Sequence, residues 1–302
     1  MIAKALLMAS ITVLIWGSTF AGIRVSLNGG YSPGHLVLVR FFIASALFVI
    51  YALWPGVKFQ LPQKKDLLKI ILLGWIGISI YHIGVTFGEQ TISAGTAGML
   101  IGSGPIFTAI IAAIVLKERL GLFGWLGLSV GFIGIILITV GTSGSSFTIS
   151  EGAIFVLISA LATSVFFVFQ KPFLKRYRPI ELTAYFTWAG TIPFFIFAPG
   201  VFQTVQHATL EANLTAIYVG VFPGAIAYVM WAIALSLGKA SSITSILYVE
   251  PAIAILVAWI WLNEFPTTLS LIGGIVAISG VLIVNVKGSK KTSSSEVIPK
   301  AS

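Results

Sequence analysis

Cysteine is absent from this 302-residue chain, aspartate occurs once, and only 9% of residues carry charge. Each scarcity closes a class of function. Without cysteine there is no disulfide frame, no thiolate metal site and no cysteine nucleophile. A single aspartate, Asp66, in what reads as a cytoplasmic loop, leaves no paired-aspartate chemistry. Neither His-Glu-x-x-His nor Gly-x-Ser-x-Gly occurs, which removes zinc proteases and elbow-serine hydrolases. Gly238-Lys239-Ala240-Ser241 resembles the end of a phosphate loop, but Ile233 stands where its first glycine is required. No catalytic residue, metal ligand set or cofactor is expected. The scarcity of charge excludes a soluble domain as well, since water-facing surfaces need about 25% charged residues.

Apolar sequence is what the chain has in quantity: 57% of residues are hydrophobic. Runs bounded by turn or charge signals predict membrane-spanning helices at 4–27, 33–54, 67–88, 94–116, 122–141, 151–170, 180–199, 213–237, 241–262 and 268–286. Each is near the ~20 residues a helix needs to cross a bilayer. Sheet spans would show period-two alternation instead. The first run is too long for the apolar core of a signal peptide. The expected fold is all-α: a polytopic membrane protein of ten transmembrane helices. From Lys287 the chain turns rich in Ser and Lys, and residues 288–302 are expected to form a disordered tail.

The charges orient these spans. With the N-terminus in the cytoplasm, 16 of the 18 Lys and Arg residues fall on the cytoplasmic side; Arg24 and Arg40 lie within spans. The opposite loops carry Glu89, Glu151, Glu211 and Glu264 and no Lys or Arg. Such asymmetry predicts both termini in the cytoplasm of a multi-pass protein of the inner, or cytoplasmic, membrane. It also accounts for the net charge of +9 without invoking nucleic acid.

The chain resembles itself at an offset of 146 residues. Ser18 meets Ser164, Pro33 meets Pro179, Gly74 meets Gly220, Pro105 meets Pro251 and Glu118 meets Glu264. One ungapped register aligns every span of 5–141 with a span of 151–287. Five is odd, so the second half must enter the membrane from the other side. The expected organisation is therefore two inverted five-helix repeats, 1–146 and 147–287, an arrangement that suits a carrier exposing one central site to each face in turn.

Several motifs resemble a known family. Trp16-Gly17-Ser18-Thr19-Phe20 and Arg40-Phe41 are similar to the opening spans of the EamA-type drug/metabolite transporter superfamily. Gly104-Pro105-Ile106-Phe107-Thr108-Ala109, ending in Leu116-Lys117-Glu118-Arg119-Leu120, resembles its fourth-span signature. Glu250-Pro251-Ala252-Ile253-Ala254-Ile255, ending in Trp261-Leu262-Asn263-Glu264, is its counterpart in the ninth. There are departures: residues 163–170 lack a Trp often found there, and Gly104 stands where the second half has Glu. The resemblance implies a carrier with a central cavity that exports amino acids, related metabolites or toxic compounds.

Four Arg, His or Glu side chains fall inside spans and away from the first residues of those spans, and each needs a cavity, a partner or water. Glu250, beside the helix-bending Pro251, could bind a substrate ammonium or carry a coupling proton; a structural hydrogen bond would equally explain it. Arg40 could hold a carboxylate by two parallel bonds, or form a structural pair or gate. His82 could respond to pH or simply pack. Arg24, near a span end, suits snorkelling to the surface. Trp16, Tyr81, Tyr228, Trp231 and Tyr248 offer flat amphipathic surfaces to a solute, though ordinary helix packing uses the same residues. Pro105 and Pro251 are candidate hinges. Gly121, Gly124, Gly127, Gly131 and Gly134, with Gly273, Ala277 and Gly280, form small-residue stripes that let helices approach closely, within one chain or between two.

The expected function is a secondary transporter exporting amino acids or related small metabolites by alternating access. Its partners are a small-molecule solute and the lipid bilayer, with proton coupling and oligomeric state open and no nucleic acid. A multidrug exporter of the same fold is the alternative; a channel or a non-catalytic membrane scaffold is the rival from another class.

Overall fold

A computed structural model describes residues 2–115, 121–141, 150–237 and 245–283. The Leu116–Leu120 motif, the phosphate-loop-like 238–241 and the tail 288–302 lie outside them. All regular structure in the described residues is helical. The helices are α1 (Ile2–Asn28), α2 (Pro33–Leu53), α3 (Lys64–Gly88), α4 (Ala94–Ile101), α5 (Gly104–Val115), α6 (Leu122–Gly141), α7 (Glu151–Leu174), α8 (Pro179–Phe197, closing in a 3-10 turn), α9 (Val201–His207), α10 (Leu210–Leu237), α11 (Glu250–Leu262) and α12 (Thr268–Ile283). Among the described residues, α1, α2, α3, α6, α7, α8 and α10 are long and apolar enough to cross a membrane. The predicted span 94–116 is α4 and α5, parted at Gly102–Ser103. The predicted span 241–262 enters α11 through a 3-10 turn at Ser245–Val249.

Local chemistry sets the ends. Pro33 and Pro179 open α2 and α8, where a missing N–H costs nothing. The hydroxyls of Ser32, Ser93 and Thr209 accept from the backbone N–H three residues on, capping α2, α4 and α10. Asn263 ends α11 in the left-handed conformation at φ 54°. The apolar runs give no sign of the short α9; it is an exposed turn of helix whose Thr204 hydroxyl meets the His35 ring at 2.7 Å.

Two helices carry a π turn, α3 at Trp75–Ile80 and α10 at Phe222–Ala227. Pro223 explains the second, since it cannot donate to the helical ladder. The first has no proline. There Gly77 presses against the Phe166 ring, while Gly84 and Gly88 lie against Ser159, Val156 and Gly152, so the widened turn coincides with close packing on α7. Just before each π turn a glycine meets another helix. Gly74 lies against Phe186 and Ala189 of α8, and Gly220 against Arg40 and Ile43 of α2.

The glycine stripes do what their spacing predicts. Helices α6 and α12 cross backbone to backbone: Gly134 lies on Ala277, Gly280 on Gly127 and Gly131, and Gly273 on Ile138. The α4–α5 break meets α11 in a similar way, with Gly98 on Ala254 and Gly102 on the Pro251 ring.

The two ends of the bundle differ in charge. At the basic rim, Arg176 holds Asp66 by two bonds of 2.9 and 3.0 Å, and Tyr177 donates to the same carboxylate at 2.7 Å. The one aspartate thus lies buried in the first turn of α3, not in a loop. Burial first, then its bond to Asp66, raises the Tyr177 phenol above its ordinary value. At the acidic rim, Arg24 pairs with Glu264 at 3.0 Å and donates to the Glu89 carbonyl, while Glu264 also accepts from Ala94 N–H at 3.1 Å. Arg24, with 23% of its side chain exposed, thus ties helix ends together at this rim.

Gly280→Leu should drive a side chain into the backbone of α6 and cost about 1–3 kcal/mol or more, as overpacking does. Its thermal unfolding midpoint in detergent is expected to fall by several degrees. Ile133→Ala, on the exposed outer face of α6, should leave the midpoint in place.

Candidate functional site

The side chains expected to carry function converge inside the bundle. His82 of α3 and Tyr228 of α10 are both buried, and their Nε2 and hydroxyl meet at 3.0 Å. Tyr228 follows directly on the second π turn. His82 sits two residues past the first. The His82 ring is flanked by Phe41 at 4.4 Å and Tyr81 at 4.5 Å. On the other side of Tyr228, the Trp16 ring lies 5.3 Å from it, 5.4 Å from Trp231 and 6.4 Å from Phe167. Helices α1, α2, α3, α7 and α10 thus contribute one continuous aromatic patch, with Trp16 donating to the Pro223 carbonyl at 3.4 Å.

Charge enters this patch from three places. Arg40 of α2 has 0% of its surface exposed and reaches the Thr86 hydroxyl only at 3.5 Å. Glu250 is buried at the first residue of α11, with no hydrogen bond among the described residues. Glu89 follows the last residue of α3. The charge pattern alone assigns it to a loop, yet it is 0% exposed. Its position one residue past an apolar span is the only signal of this in the sequence.

A second group of polar atoms escapes sequence reasoning. Gln170 of α7, Thr187 of α8 and Trp231 of α10 line a small cavity with Phe166, Phe186 and Tyr228. Gln170 Nε2, Thr187 Oγ1 and Trp231 Nε1 are buried there without a hydrogen-bond partner among the described residues. The space open to the centre of a water molecule is about 10 Å³, room for one water. In the 146-residue register Gln170 occupies the position of Arg24, which is a readable hint.

The remaining candidates stand apart in part. Tyr248 is half-buried in the 3-10 turn before α11 and packs on the core around Phe20 and Ala254. Pro105 and Pro251 are each the second residue of a helix rather than mid-helix kinks, because the chain breaks just before them. No three His, Asp or Glu side chains among the described residues gather as a metal would need.

A family model, the EamA-like transporter family, matches residues 3–140 and again 150–286. The chain belongs to the EamA-like transporter family. This EamA-family chain is 38% identical to the "Uncharacterized transporter YdfC" of Bacillus subtilis over 281 residues, covering 93% of this chain and 90% of that one. It is 35% identical to the "Probable terminal-alkyne amino-acid exporter" of Streptantibioticus cattleyicolor over 284 residues, 94% of each. A protein of known crystal structure aligns with a TM-score of 0.64 at 19% identity, over 93% of this chain and 96% of that one; that likeness shows the fold. The EamA-family chain is therefore a transporter, with a buried polar and aromatic cluster among its apolar helices.

Removing the Tyr228 hydroxyl strands a buried imidazole nitrogen, a loss worth about 1–3 kcal/mol. Tyr228→Phe and His82→Phe should each lower the unfolding midpoint, and the double variant by less than their sum. Additive losses would mean that the 3.0 Å contact carries no coupling.

Proposed function

We propose that this chain is a secondary carrier of ten membrane spans, built as two inverted five-helix halves, that exports amino acids by alternating access. The observation that carries the reading is a set of contacts repeated at one interval. His82 and Tyr228 are 146 residues apart and bonded to each other; so are Ser45 and Thr191, at 2.9 Å. Residues equivalent in two copies touch when they lie on the axis relating those copies. Other contacts come in mirrored pairs. The Gly74 contacts with Phe186 and Ala189 become, 146 residues on, those of Gly220 with Arg40 and Ile43. The Gly134–Ala277 contact maps onto Gly280–Gly131. The two π turns correspond within one residue.

In this reading the axis passes through the buried cluster, where a carrier keeps its site. The rims act as gates with the basic one cytoplasmic. Opening inward parts Asp66 from Arg176, and opening outward parts Arg24 from Glu264. Pro105 and Pro251, beside breaks that touch each other, serve as the bending points. Amino acids are favoured because the residues at hand suit a solute with both charge signs and a side chain, and because one relative is named for amino-acid export. Glu250, buried and without a partner among the described residues, is the group assigned to the coupling proton. The aromatic patch around Trp16 would suit a planar organic cation, the second reading.

The test is counterflow of labelled amino acids into liposomes carrying the purified protein and loaded with unlabelled solute. Wild type should show saturable counterflow and net transport that follows an imposed pH gradient. Glu250→Gln should keep counterflow within about threefold and lose the response to the gradient. Counterflow of organic cations and of no amino acid would replace the substrate. No counterflow of any solute would remove the carrier.

A further inference from the structure

Arg40 and Glu89 present a problem that the rest of the bundle does not solve. A guanidinium and a carboxylate with no exposed surface are expensive unless paired and fully bonded. Arg40 Nη1 has its long contact to Thr86, but Nε and Nη2 have no partner among the described residues. Those two nitrogens are the ones on the side edge of the guanidinium, the edge that grips a carboxylate with two parallel bonds. Both Glu89 side-chain oxygens are likewise buried and unpartnered. The obvious remedy is not taken. The ion pairs of the described residues are Arg24–Glu264, Arg176–Asp66 and Arg178–Glu181, so no Arg40 nitrogen comes within 4.0 Å of a Glu89 oxygen.

Thr86, which Arg40 reaches, stands three residues before Glu89 on the same face at the end of α3, so the two buried charges are neighbours, each with its bonding edge unused. The backbone holds them apart. Arg40 is fixed where α2 meets Gly220, and Glu89 where its carbonyl takes the Arg24 guanidinium. Closing the gap would pull on both ties. A single ion would satisfy only one of the two groups and leave the other buried and unpaired.

We propose that Arg40 and Glu89 form a two-point clamp for the zwitterionic head of an α-amino acid, the carboxylate on the Nε–Nη2 edge of Arg40 and the ammonium on Glu89. The proposal rests on the amino-acid reading above and deepens it. One solute then supplies two acceptor oxygens to the two free donors and several N–H donors to the two free oxygens. Thr86 stands beside the clamp as a further oxygen. The rings of Phe41, Tyr81 and His82 border the Arg40 side, so the solute side chain meets an aromatic wall. The clamp lies toward the acidic rim of the His82–Tyr228 contact and makes both charges of the solute a condition for tight binding.

The experiment uses three probes that share one ring: L-phenylalanine, phenethylamine, which lacks the carboxylate, and 3-phenylpropionate, which lacks the ammonium. Each is tested as a competitor of L-phenylalanine counterflow in wild type, Glu89→Gln and Arg40→Lys. Wild type should bind phenylalanine at least tenfold more tightly than either partial probe. Glu89→Gln should weaken phenylalanine and phenethylamine at least tenfold, and leave 3-phenylpropionate within about threefold. Arg40→Lys should weaken phenylalanine and 3-phenylpropionate and spare phenethylamine. Equal losses for all three probes in either variant would assign that residue to structure and overturn the clamp. Failure of wild type to exchange any amino acid would overturn the amino-acid reading and the clamp together. A measurement on wild type alone guards against a variant that does not fold. L-phenylalanine should raise the unfolding midpoint where the same concentration of either partial probe does not, and equal stabilisation by the amine or the acid would overturn the clamp.

Discussion

An arginine without exposed surface, two turns inside an apolar bundle, is the constraint around which this structure is arranged. Leaving such a group in hydrocarbon costs several kcal/mol on insertion scales, so the chain must surround it with polarity. Thr86, Tyr81, His82, Tyr228 and Glu89 lie near or within its field, and they come from helices that must be interrupted or packed closely to deliver them. Both π turns lie one or two residues before a member of this group. Glycines at 74 and 220 allow α3 and α10 to approach α8 and α2 without intervening side chains. The apolar remainder of the bundle then serves to keep water out of a region whose polar atoms are only partly matched with each other.

The contrast with the rims is instructive. Asp66 receives two bonds from Arg176 and one from Tyr177, and Glu264 is bonded to Arg24 and Ala94 N–H. Those carboxylates are bonded on both oxygens, as groups serving structure usually are. The interior shows the reverse. Arg40, Glu89, Gln170, Thr187 and Trp231 all have buried polar atoms without a partner among the described residues. A protein that only needed to fold would have filled these positions with Leu or Phe, which pack without such demands. Unpartnered groups in the middle and bonded ones at the ends are what the proposed cycle would need.

The helical class and most span positions are legible in the sequence because hydrocarbon imposes long, uniform apolar runs. The glycine stripes are legible because small residues at helical spacing have few other uses, and α6 and α12 meet along them. The family is legible in short motifs such as Trp16–Phe20. The interruptions are not. Nothing in Trp75-Ile76-Gly77-Ile78-Ser79-Ile80 marks a π turn except Gly77, whose significance depends on the Phe166 ring across the interface. The break at Gly102–Ser103 precedes the proline that stands out in the motif. Glu89 deceives because position along the chain does not tell which way a side chain turns at a helix end, and here it turns inward. Arg24 deceives because its partner, Glu264, is 240 residues away.

The 146-residue correspondence equates backbones more than chemistries. Tyr228 stands opposite His82, Gln170 takes the place of Arg24, and Phe186 that of Arg40. If the halves exchange roles as the proposed cycle requires, the two faces of the path are alike in shape and unlike in charge. A solute would then rest longest at the charged station near Arg40 and pass quickly over the neutral one lined by Gln170, Thr187 and Trp231. Such unevenness cannot choose the direction of net flow, which belongs to the gradients across the membrane. In the proposed cycle it would instead set where on the route the passenger waits, and from which side the protein is most readily saturated.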